Sequence, residues 1–177
     1  VARPVGRAER NNTPKALEAV AKEWNRLRTI KHQTGVGVWD ESKVEEKHDV
    51  VARAKREGIL YHFARIVDLC VEKGSELPDG HVDKKFKGRA VLLGDQVKDQ
   101  DSQNAEFEHL GSSPPTFEST QAVDAFSLVE GYEQTQTDAK SAYTQTCLGG
   151  SRGADTPIRV RLPRHRWPKH WEGKYKD

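Results

Sequence analysis

Near the start of the chain, Leu17, Val20, Trp24 and Leu27 recur at steps of three and four residues. This spacing predicts one buried stripe on a helix over 14–31. Thr13 ahead of Pro14 supplies an N-cap and a proline at the first helical position. Glu18 and Lys22 sit on the exposed side at a favourable i,i+4 spacing. Gly35 and Gly37 end this unit, and Val36-Gly37-Val38-Trp39 reads as a short strand. The charged run over 40–58 reads as helical in part. From Phe63 onward the period drops to two, which predicts a β-hairpin over 63–94. Its first arm sets Phe63, Val67, Leu69 and Val71 on one face. Pro78-Asp79-Gly80 is the turn, because proline presets φ and glycine accepts a positive φ. The second arm sets Lys85, Lys87 and Arg89 on one face, with Phe86, Ala90 and Leu92 on the other.

An acidic connector follows Gly94 and leads to Gly111-Ser112-Ser113-Pro114-Pro115. Ser119 or Thr120 is the predicted cap of a further helix. Its apolar face is Ala122, Val123, Phe126 and Val129, and Gly131 ends it. A strand into Asp138 comes next, then a short turn at Ala142-Tyr143. Residues 149–155 read as a flexible stretch, and Ile158-Val160-Leu162 alternates with Arg159 and Arg161 like an edge strand. Trp167, Trp171 and Tyr175 lie among basic residues at the end. They suit either stacking on nucleic acid or the completion of a core. No internal repeat and no P-loop is present.

Composition narrows the class. The 177 residues are 34% hydrophobic and 32% charged, and mean hydropathy is −0.84, lean for a core but short of a disordered chain. There is no methionine, so the expectation is a piece of a longer polypeptide; with no secretory signal in the sequence, its expected location is intracellular, in the cytoplasm. No signal peptide or apolar run of about 20 residues occurs, which argues against a membrane partner. Cys70 and Cys147 stand far apart, without a C-x-x-C partner, and read as buried or free thiols. Residues 1–94 carry 19 basic against 14 acidic side chains (+5), 95–138 one against ten (−9), and 151–177 eight against three (+5). Basic blocks around an acidic centre suit a polyanion crossing near a metal site, or simply a solvated surface.

The candidate chemistry lies at Asp138. A carboxylate ending a strand, with an aromatic folded back over it, suits divalent metal held against a substrate phosphate. The same acid serves equally as a turn former or cap. Lys85, Lys87 and Arg89 suit a phosphate grip, or a strand edge kept soluble by cations. His109 near Ser112 and Ser113 hints at a hydrolase, but no G-x-S-x-G elbow accompanies it. His165 and His170 have no metal-binding spacing.

The order of these pieces resembles the start of a reverse transcriptase of the Ty1/copia retrotransposon type. Ala19-Val20-Ala21-Lys22-Glu23-Trp24-Asn25-Arg26-Leu27 followed by Gly37-Val38-Trp39 resembles the family's opening helix and tryptophan turn. Pro78-Asp79-Gly80 with Phe86-Lys87-Gly88-Arg89-Ala90-Val91-Leu92-Leu93-Gly94 resembles its fingers hairpin. Ser113-Pro114, an apolar helix and Asp138-x-x-x-Ala142-Tyr143 keep its order, and Arg161-Leu162-Pro163 is similar to its later strand. Each piece is common, and the order over residues 15–165 carries the resemblance.

The resemblance implies an α+β fold, an incomplete fingers and palm with an antiparallel hairpin and short strands packed on two or three helices. It implies a partial domain over 13–165 with the palm starting near 115–147; the polar, basic residues 1–12 read as a disordered lead-in and 166–177 as a basic aromatic tail. Asp138 would bind both Mg²⁺ (or Mn²⁺) ions of a nucleotidyl transfer, about 4 Å apart, with the carbonyl of Ala139. Backbone N–H groups of Ser141 and Ala142 would hold triphosphate oxygens, and Tyr143 would exclude a 2′-hydroxyl. Lys87 and Arg89 would clamp the triphosphate. The implied partners are RNA template, DNA primer, dNTP and the rest of a polyprotein. The family's aromatic-x-Asp-Asp element is absent, since no Asp-Asp pair occurs. Thr144-Gln145-Thr146-Cys147 is also more polar than the family's segment after the aromatic. These residues are therefore expected not to polymerise alone, and the metals need palm carboxylates that this sequence lacks. The rival reading is a nonenzymatic nucleic-acid-binding remnant of a retroelement, held by its basic blocks through counterion release.

Overall fold

The computed structural model describes residues 1–30, 37–105, 115–135, 137, 144 and 156–176. The chain forms two compact units, one of Val1–Ala105 with Cys147–Asp177 and a second of Glu106–Thr146. The first unit is α+β. Its sheet comprises β1 (Ala2–Pro4), β2 (His62–Lys73), β3 (Lys85–Leu92) and β4 (Ile158–Arg161). Its helices are α1 (Arg7–Asn12), α2 (Pro14–Thr29) and α3 (Lys47–Glu57). The second unit carries α4 (Phe117–Phe126). No helix among the described residues is long and apolar enough to cross a membrane.

The predicted hairpin is present as β2 and β3, antiparallel with Leu69 opposite Arg89. Pro78 supplies the carbonyl that accepts the His81 N–H at 3.2 Å, and Gly80 takes the positive φ (90°) that this turn demands. The twelve residues of β2 make it the central strand. On one side it pairs β3, and that side continues through the Leu93 N–H to the Arg65 carbonyl and a bridge between Phe63 and Lys98. On the other side β1 runs antiparallel beside Val71–Lys73, and β4 runs parallel beside His62–Arg65. Between β1 and β4, the Asp68 carbonyl takes a hydrogen bond from Arg10 Nη1 at 3.4 Å. A side chain thus stands where neither strand reaches.

The helix predicted over 14–31 is α2. It buries Ala16, Val20, Trp24 and Leu27, while Leu17 stays 39% exposed. Thr13 does occupy the N-cap position, but its hydroxyl donates back to the Glu9 carbonyl at 2.9 Å and caps no N–H of α2. α2 lies against the even-numbered face of the hairpin, at its closest over Gly88. A Cβ there would lie 2.5 Å from the Ala19 carbonyl oxygen and from Val20 Cα. Glycine is therefore the residue that lets helix and strand backbones touch. Full burial of Val20 and Trp24 contributes about 1.5–3 kcal/mol each.

Several expectations give way to the fold. Residues 1–12, expected as a disordered lead-in, form β1 and α1, and Val5 joins the core. The short strand expected at 36–39 is absent from its described part, 37–39. There Trp39 packs edge-on against Trp24, with ring centroids 5.2 Å apart. The closing aromatics are part of this unit's core. Trp171 is buried within it, and Trp167 and Tyr175 each meet Trp171 edge-to-face at 6.0 Å. The helix expected from Ser119 or Thr120 begins at Phe117, with Thr116 Oγ1 accepting the Ser119 N–H. It ends at Phe126, ahead of Gly131.

One carboxylate ties these segments together. The Asp68 side chain, 2% exposed, points from β2 toward α2. Its Oδ1 accepts the Trp24 indole N–H. Its Oδ2 accepts His165 Nε2 at 2.7 Å and Arg166 Nε and Nη2 at 3.2 and 3.1 Å, with Arg10 Nη1 3.6 Å away. Arg28 and Arg166 guanidinium groups lie 5.7 and 5.8 Å from the Trp24 ring centroid. Burial pushes the Asp68 carboxyl up. Hydrogen bonds from His165 and Trp24, with the charge of Arg166, more than offset this and hold it below its usual range.

Asp68→Ala strands buried cations and should cost about 3–5 kcal/mol in denaturant unfolding. Because the folded-state carboxyl titrates lower than the unfolded one, its contribution is fully present above about pH 4 and is lost as pH falls through the lower value. Asp68→Asn should therefore flatten the acid limb of a stability-versus-pH curve. Gly88→Ala should cost about 1–3 kcal/mol through overpacking against α2, read as a lower denaturant midpoint with an unchanged slope.

Candidate functional site

Alternation along β2 splits its residues into two contrasting faces. Of the even positions, Ile66, Asp68 and Cys70 meet α2, with Leu92, Ala90 and Gly88 as their β3 neighbours, while Ala64 is buried beside β4 and Glu72 binds Arg3. The odd positions form the outer face. There the register sets Val67 beside Val91, Leu69 beside Arg89, Val71 beside Lys87, and Lys73 beside Lys85. The predicted aliphatic row and the predicted cationic row therefore share one surface. Leu69, at its middle, is 49% exposed.

This surface is strongly positive. Lys73, Lys85 and Arg89 are exposed and Lys87 half-buried, and none makes a side-chain hydrogen bond or ion pair to a described residue. The charge of Arg89 and then that of Lys73 push the Lys87 ammonium below its usual range. Nearby carboxylates are already engaged. Glu23 binds Arg26 at 2.9 Å, Glu72 on the opposite face binds Arg3 at 2.8 Å, and Asp79 binds Lys84 at 2.7 Å. Arg65, further along the outer face, bonds Gln96. Among the described strands β3 pairs only with β2 and so forms an edge. Cations on an edge strand both discourage strand addition and present charge to an anion.

The predicted site residues divide accordingly. Lys87 and Arg89 sit together on the outer hairpin face. Asp138, Ala139, Ser141, Ala142 and Tyr143 lie outside the described residues, as do Cys147 and the His109, Ser112 and Ser113 group. Among the described residues no group of three or more His, Cys, Asp or Glu side chains gathers to hold a metal. His165 belongs to the Asp68 cluster, and His170 meets Trp171 edge-on at 6.2 Å. Cys70 is buried and free, with its thiol pushed up by burial, which makes it a poor nucleophile.

Sequence reasoning passed over Lys73. It closes the first arm, and only the hairpin register places it opposite Lys85. The available signal was the turn length, which fixes which residues face one another. Compared with known proteins, the chain matches no family model, no curated protein and no solved structure.

Proposed function

We propose that this chain is the fingers and palm opening of a Ty1/copia-type reverse transcriptase, with the outer face of its β2–β3 hairpin gripping phosphate. The observation that carries the reading is the placement of Lys87 and Arg89 on one outer face, where neither makes a side-chain hydrogen bond or ion pair to a described residue. The ordered resemblance of the flanking segments supports it. An arginine fork suits bidentate contact with phosphoryl oxygens, and a lysine adds a mobile point charge. In this reading the primer 3′-oxygen attacks the α-phosphorus of a dNTP and pyrophosphate leaves. Asp138 and the Ala139 carbonyl, with further carboxylates, would hold divalent metal, which would supply charge neutralisation. Lys87 and Arg89 hold the leaving phosphates in line, which is a positioning contribution.

A nonenzymatic, nucleic-acid-binding remnant is the second reading. The same unpartnered cations favour it, because they act without Asp138. The two readings part at the acid.

The joint substitution Lys87→Ala with Arg89→Ala should weaken binding of a single-stranded oligonucleotide by the chain. Losing two phosphate contacts should also lower the slope of log K against log salt by about 1.4. An unchanged slope removes the grip from the hairpin. In the full polyprotein, Asp138→Asn should abolish primer extension on an RNA template while leaving that salt-sensitive binding intact. Tyr143→Ala should raise ribonucleotide incorporation relative to deoxyribonucleotide. If extension survives without Asp138, the polymerase assignment fails.

A further inference from the structure

Lys73 and Lys85 are directly opposed across the β2–β3 ladder, and both are exposed. Like charges in this position destabilise a sheet. A hairpin shaped for stability alone would set an acid against one of them. Among the described acids nearby, Glu23, Glu72 and Asp79 are already paired with Arg26, Arg3 and Lys84. Lys87 lies diagonal to Lys73, one two-residue step from Lys85 and one from Arg89. Each such step covers about 6.8 Å. The row from Lys85 to Arg89 therefore spans about 14 Å, more than a single phosphate group fills.

We propose that Lys73 and Lys85, with Lys87 and Arg89, form one four-cation seat for a linear polyphosphate chain, built from both strands of the hairpin. The inference rests on the phosphate-gripping reading and adds Lys73, which no matched motif supplies. An anion laid along the seat converts the cross-strand repulsion into attraction, so binding and folding stability are linked. Around the four cations the face carries aliphatic Val67, Leu69, Val71 and Val91, while the aromatic ring on its odd-numbered row, Phe63, lies at the far end of β2 from Lys73 with Lys47 Nζ 5.2 Å from its centroid. Contact is thus with phosphate, whatever nucleoside is attached.

The test uses the whole chain, magnesium-free buffer and inorganic tripolyphosphate, with monophosphate and a single-stranded oligonucleotide as parallel probes. Lys73→Glu should raise the thermal midpoint of the free protein, because it creates an opposite-charge pair with Lys85. It should also weaken tripolyphosphate by about tenfold. Lys73→Gln should fall between wild type and Lys73→Glu in both measurements. Unchanged tripolyphosphate affinity in Lys73→Glu overturns the seat, as does a free-protein midpoint that fails to rise. If Lys87→Ala with Arg89→Ala weakens binding and Lys73→Glu does not, the four-cation seat fails while the hairpin grip stands. If neither weakens it, both fail. Monophosphate binding as tightly as tripolyphosphate overturns the linear-chain assignment. Loss of the oligonucleotide alone transfers the surface to strand binding and overturns it too.

Discussion

A single buried carboxylate organises the first unit. The Asp68 carboxylate accepts hydrogen bonds from α2 and from the turn after β4, which are far apart in sequence, and lies 3.6 Å from Arg10 Nη1 of α1. Such a cluster is a geometric constraint more than a source of net stability. Desolvating the charges offsets much of the attraction between them. Its effect is to permit one arrangement of the tryptophan, the two arginines and the strand, because any slippage leaves a buried charge unpaired. Trp24 is then fixed at its nitrogen by Asp68 and along its ring by Arg28, Arg166 and Trp39.

This constraint acts on the functional surface through β2 itself. Residue 68 faces the helix, and residues 67, 69, 71 and 73 face the opposite way. A one-residue slip would exchange the two sets and send Asp68 out while bringing lysine in. Locking Asp68 therefore also locks which side chains line the outer row. The two faces share one backbone but separate their electrostatics. Inside, carboxylate and guanidinium groups neutralise one another. Outside, Lys73, Lys85, Lys87 and Arg89 make no side-chain hydrogen bond or ion pair to a described residue.

Much of this was legible in the sequence. α2 and the extended segment at 158–162 announced themselves through period, the hairpin through alternation and its Pro78-Asp79-Gly80 turn, and a helix within 40–58 through its charged composition. The separation of Lys85, Lys87 and Arg89 from Phe86, Ala90 and Leu92 followed from strand alternation alone. The even face of β2 did not stand out, because His62, Asp68 and Glu72 break the apolar rhythm there, and partners from distant segments are what make those positions inward. Leu69, apolar by type, was accordingly assigned by hydrophobicity to a row that the fold turns outward. β1 and the role of Trp171 were hidden for a related reason. Three polar-flanked residues and a tail of mixed aromatics carry no periodic signal, and only long-range contact with β2 and α2 orders them. The acid at 138 is read from motif order alone, whereas the hairpin cations are read from order and geometry together.

The arrangement of β1 and β4 bears on how the unit forms. Both lie on the same flank of β2, one drawn from residues 2–4 and the other from 158–161. An entire second unit, Glu106–Thr146, is spliced between the parts they complete. During synthesis, α2 and the hairpin emerge early, but the ring of Trp171 and the donors of His165 and Arg166 arrive nearly a hundred residues after Asp68. Until then a nascent chain lacks the His165 and Arg166 donors to Asp68 and the Arg166 guanidinium over Trp24. Closure is consequently a late, non-local event of the slow class, and the half-made unit is the species a ribosome-bound chaperone would meet.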